Sequence, residues 1–311
     1  MTYRSAIRSV LSFVAALLFS AAADAQLFRA YLASDGSDAN PCTLALPCRL
    51  LPAALTAVAS GGEIWMLDSA NYNTATVAIG KSVSILAVPG AVGSVVAVGG
   101  PAISITTSSL KVALRNLAIV PLPGAGGNIG VYMTAASALT IEHGLIADLP
   151  TVGVHVQGAG TVKIAETIIR NNGVAVQIVE GATGTISRTQ ILGNGDGVLA
   201  STGSATTTKV IVADSVISGG GEGVFALSLV TGAVTKIFVT RSTIEGTDFG
   251  LDSETVGAGA ASLVTVSYSM VTNNINGWYQ SGAGSVVKSL GNNHFTDNTA
   301  TSGTLITAAL Q

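Results

Sequence analysis

The sequence predicts an all-β solenoid, in which short strands wind into stacked coils around one shared core. Three observations carry this. Six eight-residue blocks, their ends 22 to 27 residues apart, restate one pattern without an internal gap. Their apolar residues alternate and are mostly Val and Ile, side chains that suit strands better than helices. Glycine supplies 37 of the 311 residues, and Gly or Asn follows most blocks, as tight turns require.

The blocks are Leu139–Ile146, Val162–Ile169, Gly184–Ile191, Val210–Ile217, Ile237–Ile244 and Val264–Val271. Ile119 precedes their last residues by 27, and Phe295 follows by 24. A period in the twenties with alternating strands is the signature of a β-solenoid, and the Leu- and Asn-punctuated consensus of leucine-rich repeats is missing. One such unit cannot bury its own apolar face, so units must stack and share a core. Stacking in register places equivalent residues about 4.8 Å apart on neighbouring coils. Columns in the sequence therefore become ladders in space.

From the amino terminus, residues 1–25 read as a secretory signal. Arg4 and Arg8 precede an uncharged apolar stretch, and Ala23-Asp24-Ala25 ends it with small residues at the places a signal peptidase reads. Export to periplasm or medium is expected. The whole chain carries 14 basic and 17 acidic residues and only 10% charged residues. With no basic run to neutralise a phosphate backbone, nucleic acid is excluded as a partner. Ser82 to Leu110 is free of charge, yet Pro89, Gly90, Gly93, Gly99, Gly100 and Pro101 interrupt it. Strands and turns are expected there, and no transmembrane segment after the signal is removed.

Residues 26–62 are expected to form a cap. Cys42 and Cys48 are the only cysteines, and an oxidising compartment favours a disulfide between them. Leu50 to Ala59 places Leu51, Leu55 and Val58 on one helical face, with Pro52 near its start and Gly61-Gly62 as its stop. This short helix is expected to cover the open end of the first coil. Residues 63–311 form the solenoid, beginning with strands at 63–67, 76–79 and 83–87.

Within the repeat, Ile146 to Val271 read as an interior aliphatic stack. His143, Glu166, Arg188, Asp214, Arg241 and Tyr268 form a second column in which charge alternates in sign, beside a hydroxyl column of Thr167, Thr189, Ser215 and Ser242. Opposite charges on adjacent strands attract, so this is expected to be a solvated structural ladder. Asp196 and Glu222 precede turn glycines, and Asn172 and Asn276 are expected in the same column, with Asp248 displaced by one and Asp252 just beyond Gly250. Asp196, Glu222 and Asp248 are the candidate catalytic residues. With Asp252 they are also candidate Ca²⁺ ligands, because oxygen donors on one edge suit that ion and paired carboxyl groups suit glycosidic acid–base work. The competing account is that they are turn residues in water. Tyr132, His155, Phe225 and Tyr279 fall two residues past the turn glycine, where outward aromatic faces could stack on sugar rings. Asp252 shares that column.

Tyr31-Leu-Ala-Ser-Asp-Gly-Ser-Asp-Ala-Asn-Pro-Cys-Thr43, followed by Pro47-Cys-Arg49, a short helix, Gly61-Gly-Glu-Ile64 and Tyr72, resembles the amino-terminal cap of secreted right-handed parallel β-helix repeat proteins. These share the pectate-lyase-like fold. The resemblance implies a right-handed parallel β-helix with a short amino-terminal capping helix. It implies activity less firmly, since the superfamily holds polysaccharide lyases, hydrolases, epimerases and adhesins. The adjacent Asp pair and Gly-His-Gly element of galacturonan hydrolases are missing; the nearest match is Glu142-His143-Gly144. Their Arg-x-Lys element is missing too. The expected function is therefore polysaccharide binding or an extracellular structural role, with no cofactor required. The alternatives are a calcium-assisted polysaccharide lyase or hydrolase acting on acidic polysaccharide, and an adhesin or spacer.

Overall fold

A computed structural model describes residues 26–308. The signal proposed for residues 1–25 lies outside the described residues. The chain winds into coils of three faces. On the first face 12 strands pair side by side, from Leu27–Leu32 through Val58–Met66 to Ile306–Thr307, and every pairing is parallel. Short strands such as Ile168–Arg170 and Gln190–Leu192 make the second face. Longer ones such as Val174–Val179 and Asp196–Thr202 make the third. In two coils the second and third faces run together as single strands, Val216–Ser228 and Thr243–Thr255.

The register follows the sequence columns. Ile119, Ile146, Ile169, Ile191, Ile217, Ile244, Val271 and Phe295 pair in succession along the second face. From Ile119 to Val271 all are buried. Branched aliphatic side chains repeat here because each stacks on its equivalent one coil away. Each contributes about 1.5–3 kcal/mol by leaving water.

The first helix, α1, spans Leu51–Ala57, with Pro52 in its first turn and Leu51, Ala54 and Leu55 buried. It ends earlier than the expected stop at Gly61-Gly62. Val58 already pairs with Leu27 in the first face, and that pairing pulls the chain into extended conformation. Ahead of the helix, Cys42 and Cys48 form a disulfide, and Asp38 Oδ1 accepts hydrogen bonds from the backbone N–H groups of Arg49 and Leu50. The strand Leu27–Leu32 lies amino-terminal to the loop and helix yet already belongs to the first face.

Two corners explain how the coils turn. At the first, Asn116, His143, Glu166, Arg188, Asp214, Arg241 and Tyr268 all adopt left-handed φ, between 46° and 55°. From Glu166 onward the next residue is a buried Thr or Ser. Thr189, Ser215 and Ser242 each donate to the carbonyl two residues earlier. The Ser215 and Ser242 oxygens also accept the backbone N–H of Thr189 and Ser215 from the preceding coil. On the outside of this corner the expected charge ladder forms, with His143 and Arg188 on Glu166 at 2.6 and 2.8 Å and Arg241 on Asp214 at 2.6 Å.

The second corner holds a buried asparagine ladder. Asn194 Oδ1 accepts from both the backbone N–H and the side-chain Nδ2 of Asn172, each at 2.9 Å, while Asn194 Nδ2 donates to the carbonyls of Ile169 and Leu192. Asn298 Oδ1 likewise accepts from the backbone N–H and Nδ2 of Asn274. Between these runs the column passes through Gly220 and Thr247. A Cβ at Gly220 would collide with the Asn194 carbonyl oxygen, and its φ is 110°. Only glycine fits this point.

Candidate functional site

The third face presents its outward side chains in one continuous column. Tyr132, His155, Gln177, Leu199, Phe225, Asp252 and Tyr279 pair in that order on successive coils. The expected column therefore forms, but Gln177 and Leu199 divide it into two groups. In the first, the Tyr132 ring stacks on His155 with centroids 5.1 Å apart and planes 22° apart, and His155 Nδ1 lies 2.8 Å from Gln177 Oε1. In the second, Asp252 stands between Phe225 and Tyr279, and Phe249 meets Tyr279 edge-on at 5.1 Å. Trp278, the neighbour of Tyr279, turns toward the core, half-buried, and packs edge-on against Phe295.

The acidic residues fall beside this second group. Asp196 and Glu222 pair directly in register on adjacent coils. Asp248 does not join them. The coil from Glu222 onward is one residue longer than that from Asp196, so Phe249 takes the position opposite Glu222 and Asp248 lies exposed at the corner. Asn276 does share the column, opposite Phe249. Asn172 does not, because Val174 is the residue that pairs with Asp196, and Asn172 turns inward into the asparagine ladder.

Two carboxyl groups here are held well above their ordinary range. Glu222 is pushed up to about 8, first by its side-chain contact with Asp196, then by partial burial, then by repulsion from that carboxylate. Asp252 is pushed up to about 8 by burial above all, and further by Glu254 and Glu222. Only 3% of Asp252 remains exposed, and its Oδ1 is buried without a hydrogen-bond partner. An orphaned buried acceptor of this kind costs about 1–3 kcal/mol. Carboxylates facing each other on adjacent strands repel when both are ionised. Perturbed carboxyl groups beside aromatic side chains make this the candidate site.

Of the expected calcium ligands, Asp196 and Glu222 face each other, Asp252 lies one coil further along the face and Asp248 lies at the corner. Among the described residues no group of three or more His, Cys, Asp or Glu side chains is arranged to hold a metal ion. A hollow of about 700 Å³ within the amino-terminal segment is lined by Gln26, Leu27, Asp38, Asn40 and Cys42, and Asp38 is occupied with the loop before α1.

A family model described as the right-handed β-helix region matches residues 97–236. Superposition on the crystal structure of pectate lyase Pel9A gives a TM-score of 0.61, covering 89% of this chain and 78% of that one at 14% identity. The fold is the right-handed parallel β-helix. Two further β-helix structures match more distantly. The A-module of the Azotobacter vinelandii mannuronan C-5 epimerase AlgE4 gives a TM-score of 0.46 at 12% identity, over 80% of this chain and 89% of that one. The alginate lyase from Paenibacillus sp. str. FPU-7 gives 0.47 at 12% identity, over 90% of this chain and 100% of that one. No curated protein matches the sequence. Among the described residues, no helix of this β-helix is long and apolar enough to cross a membrane.

Within the β-helix, the sequence columns located Asp196, Glu222, Phe225, Asp252 and Tyr279. They missed Phe249 and Glu254. Phe249 was hidden by the extra residue in its coil; Glu254 follows Asp252 by two, the strand period that puts both on one side.

Proposed function

We propose that this is an exported carbohydrate-binding β-helix whose ligand lies along the outer side of the third face, over Phe225, Asp252, Phe249 and Tyr279. The observation that carries it is Asp252, buried between two aromatic rings with an acceptor oxygen that nothing in the chain satisfies. Aromatic rings offer flat apolar surface to a sugar face, and a carboxyl between them fixes orientation through hydroxyl contacts. The fold shared with a pectate lyase makes polysaccharide the natural ligand class. The Cys42–Cys48 disulfide fits an oxidising compartment.

Titration calorimetry of the exported chain against a panel of neutral, acidic and amino polysaccharides tests this. At least one polymer binds, and Tyr279→Ala weakens it about ten-fold while leaving the circular dichroism unchanged. A panel on which nothing binds overturns it.

A second reading rests on the Asp196–Glu222 pair. A carboxyl that keeps its proton near neutral pH, facing a second carboxyl on the next coil, is the arrangement a glycosidic acid and its partner need. Glu222 would protonate the leaving oxygen, and Asp196 would act as base or nucleophile. Appearance of reducing ends that stops in Glu222→Gln supports it; polymers left intact by the native protein exclude it. Uronate polymers incubated with and without Ca²⁺ check for the unsaturated ends that a lyase leaves.

A further inference from the structure

Resting on the carbohydrate-binding role of the third face, we propose that the sugar polymer it takes carries free amino groups. The face is built for a cation. From Thr189 onward the only Lys and Arg residues are Lys209, Lys236, Arg241 and Lys288. All four belong to the first face or the first corner. The outer side of the third face and the corner leading into it carry Asp196, Glu222, Asp248, Asp252 and Glu254. Among the described residues, the ion pairs lie elsewhere, and none engages any of these five. This half of the face is a strip of acid without a counter-charge.

The second, independent observation is the orphaned Asp252 Oδ1. It needs a donor, and three sugar substituents can be compared on that point. A uronate carboxylate donates nothing and brings a further acid to an already acidic strip. A hydroxyl donates one hydrogen bond and leaves the charge uncompensated. An ammonium donates up to three and supplies the counter-charge that lets the Asp252 carboxylate form, and charge-assisted bonds are roughly twice as strong as neutral ones. The rings beside it favour the same choice. Phe225 and Tyr279 flank Asp252 on either side, so a cation that reaches the carboxyl also lies against aromatic faces, which attract cations. N-acetylation would remove both gains, since an amide is neutral and has one N–H.

Titration calorimetry of the intact protein at about pH 6, below the ordinary amino-group range of about 8, separates the cases; on binding, the ammonium takes the place of the proton that burial otherwise keeps on Asp252. Glucosamine hexamer, its N-acetylated counterpart, galacturonate hexamer and hexalysine are the probes. The glucosamine hexamer is expected to bind at least about ten-fold more tightly than the other three. Asp252→Asn, which keeps shape and burial, is expected to reduce that preference to within about three-fold. Equal or tighter binding of the acetylated or uronate hexamer overturns the amine assignment while the carbohydrate-binding role stands. Hexalysine binding as tightly as the glucosamine hexamer overturns it as well, since the strip would then be reading charge alone. Failure of all three sugars overturns the amine assignment, and the wider polysaccharide panel then decides the carbohydrate-binding role by itself. An unchanged preference in Asp252→Asn removes Asp252 as the group that reads the amine and overturns the inference.

Discussion

Glu222 faces Asp196 in register on the preceding coil, and that contact holds the Glu222 carboxyl above its ordinary range, so that it keeps a proton up to about 8. Asp252, one coil further along the face, behaves alike because it is buried. In the unfolded chain these groups ionise near 4.5 and 3.8. Between those values and about 8 the folded state therefore holds more protons than the unfolded one, and stability falls as pH rises. The stability linked to these protons is fully present below the unfolded values and lost by about 8. Thermal melts are expected to show a higher Tm at about pH 5 than at about pH 9, by the equivalent of more than about 1 kcal/mol. Glu222→Gln and Asp252→Asn each flatten the profile and stabilise the protein on the alkaline side. A profile that rises with pH in the native protein contradicts the assignment.

The asparagine ladder makes a separate stability claim. Asn194→Ala removes the acceptor for two Asn172 donors and the donor for two carbonyls, all at a buried corner. Leaving several buried groups unpaired is expected to cost about 2–4 kcal/mol in urea denaturation. A loss under about 1 kcal/mol would mean that water enters the corner and replaces the side chain.

At the first corner the outer ladder should matter little and the backbone more. Arg241 and Asp214 pair on the surface, so Arg241→Ala is expected to cost less than about 1 kcal/mol, and less still in high salt. Tyr268 is 59% exposed and held at φ 48°, a conformation bulky residues avoid. Asparagine tolerates it, and Asn116 already occupies the same corner position at φ 54°. Tyr268→Asn is therefore expected to stabilise by about 0.5–1 kcal/mol. Loss of stability would show that the Tyr268 ring contributes contacts that outweigh its backbone strain.

Much of this was legible in the sequence, and the failures have local causes. Ile119 through Val271 declared their register because a branched side chain recurs where a parallel coil stacks like on like. The alternation His143, Glu166, Arg188, Asp214, Arg241 declared its ladder by sign. The left-handed corner was invisible, since histidine, glutamate, arginine, aspartate and tyrosine all adopt it and none signals it. Asn172 read as a turn residue before Gly173, although its amide faces inward, because only the neighbouring coil supplies Asn194 as its partner. Asp248 was one residue out of place because coil length varies. The burial of Asp252 could not be seen at all, for it is created by residues 27 positions away on either side.

Gly220 offers the sharpest test of how strictly the coils are stacked. Its column carries Asn194 before it and, beyond Thr247, Asn274 and Asn298 after it, so sequence logic alone suggests that Gly220→Asn would extend the ladder and stabilise the fold. The backbone forbids this. Any Cβ at Gly220 would run into the Asn194 carbonyl oxygen, and φ at 110° lies in a region open mainly to glycine. Moving the chain to relieve the clash would shift Gly221, whose N–H donates to the Gly195 carbonyl at 2.5 Å, and with it the adjacent Glu222 opposite Asp196. Gly220→Asn is therefore expected to lose more than about 2 kcal/mol, and Gly220→Ala a similar amount, since the collision begins at Cβ. The Glu222-linked slope of stability with pH should shrink in the same variants, because the carboxyl pair would lose its register. A stable Gly220→Asn protein with an unchanged pH profile would show that this corner has room to relax and that the Asp196–Glu222 contact does not depend on it.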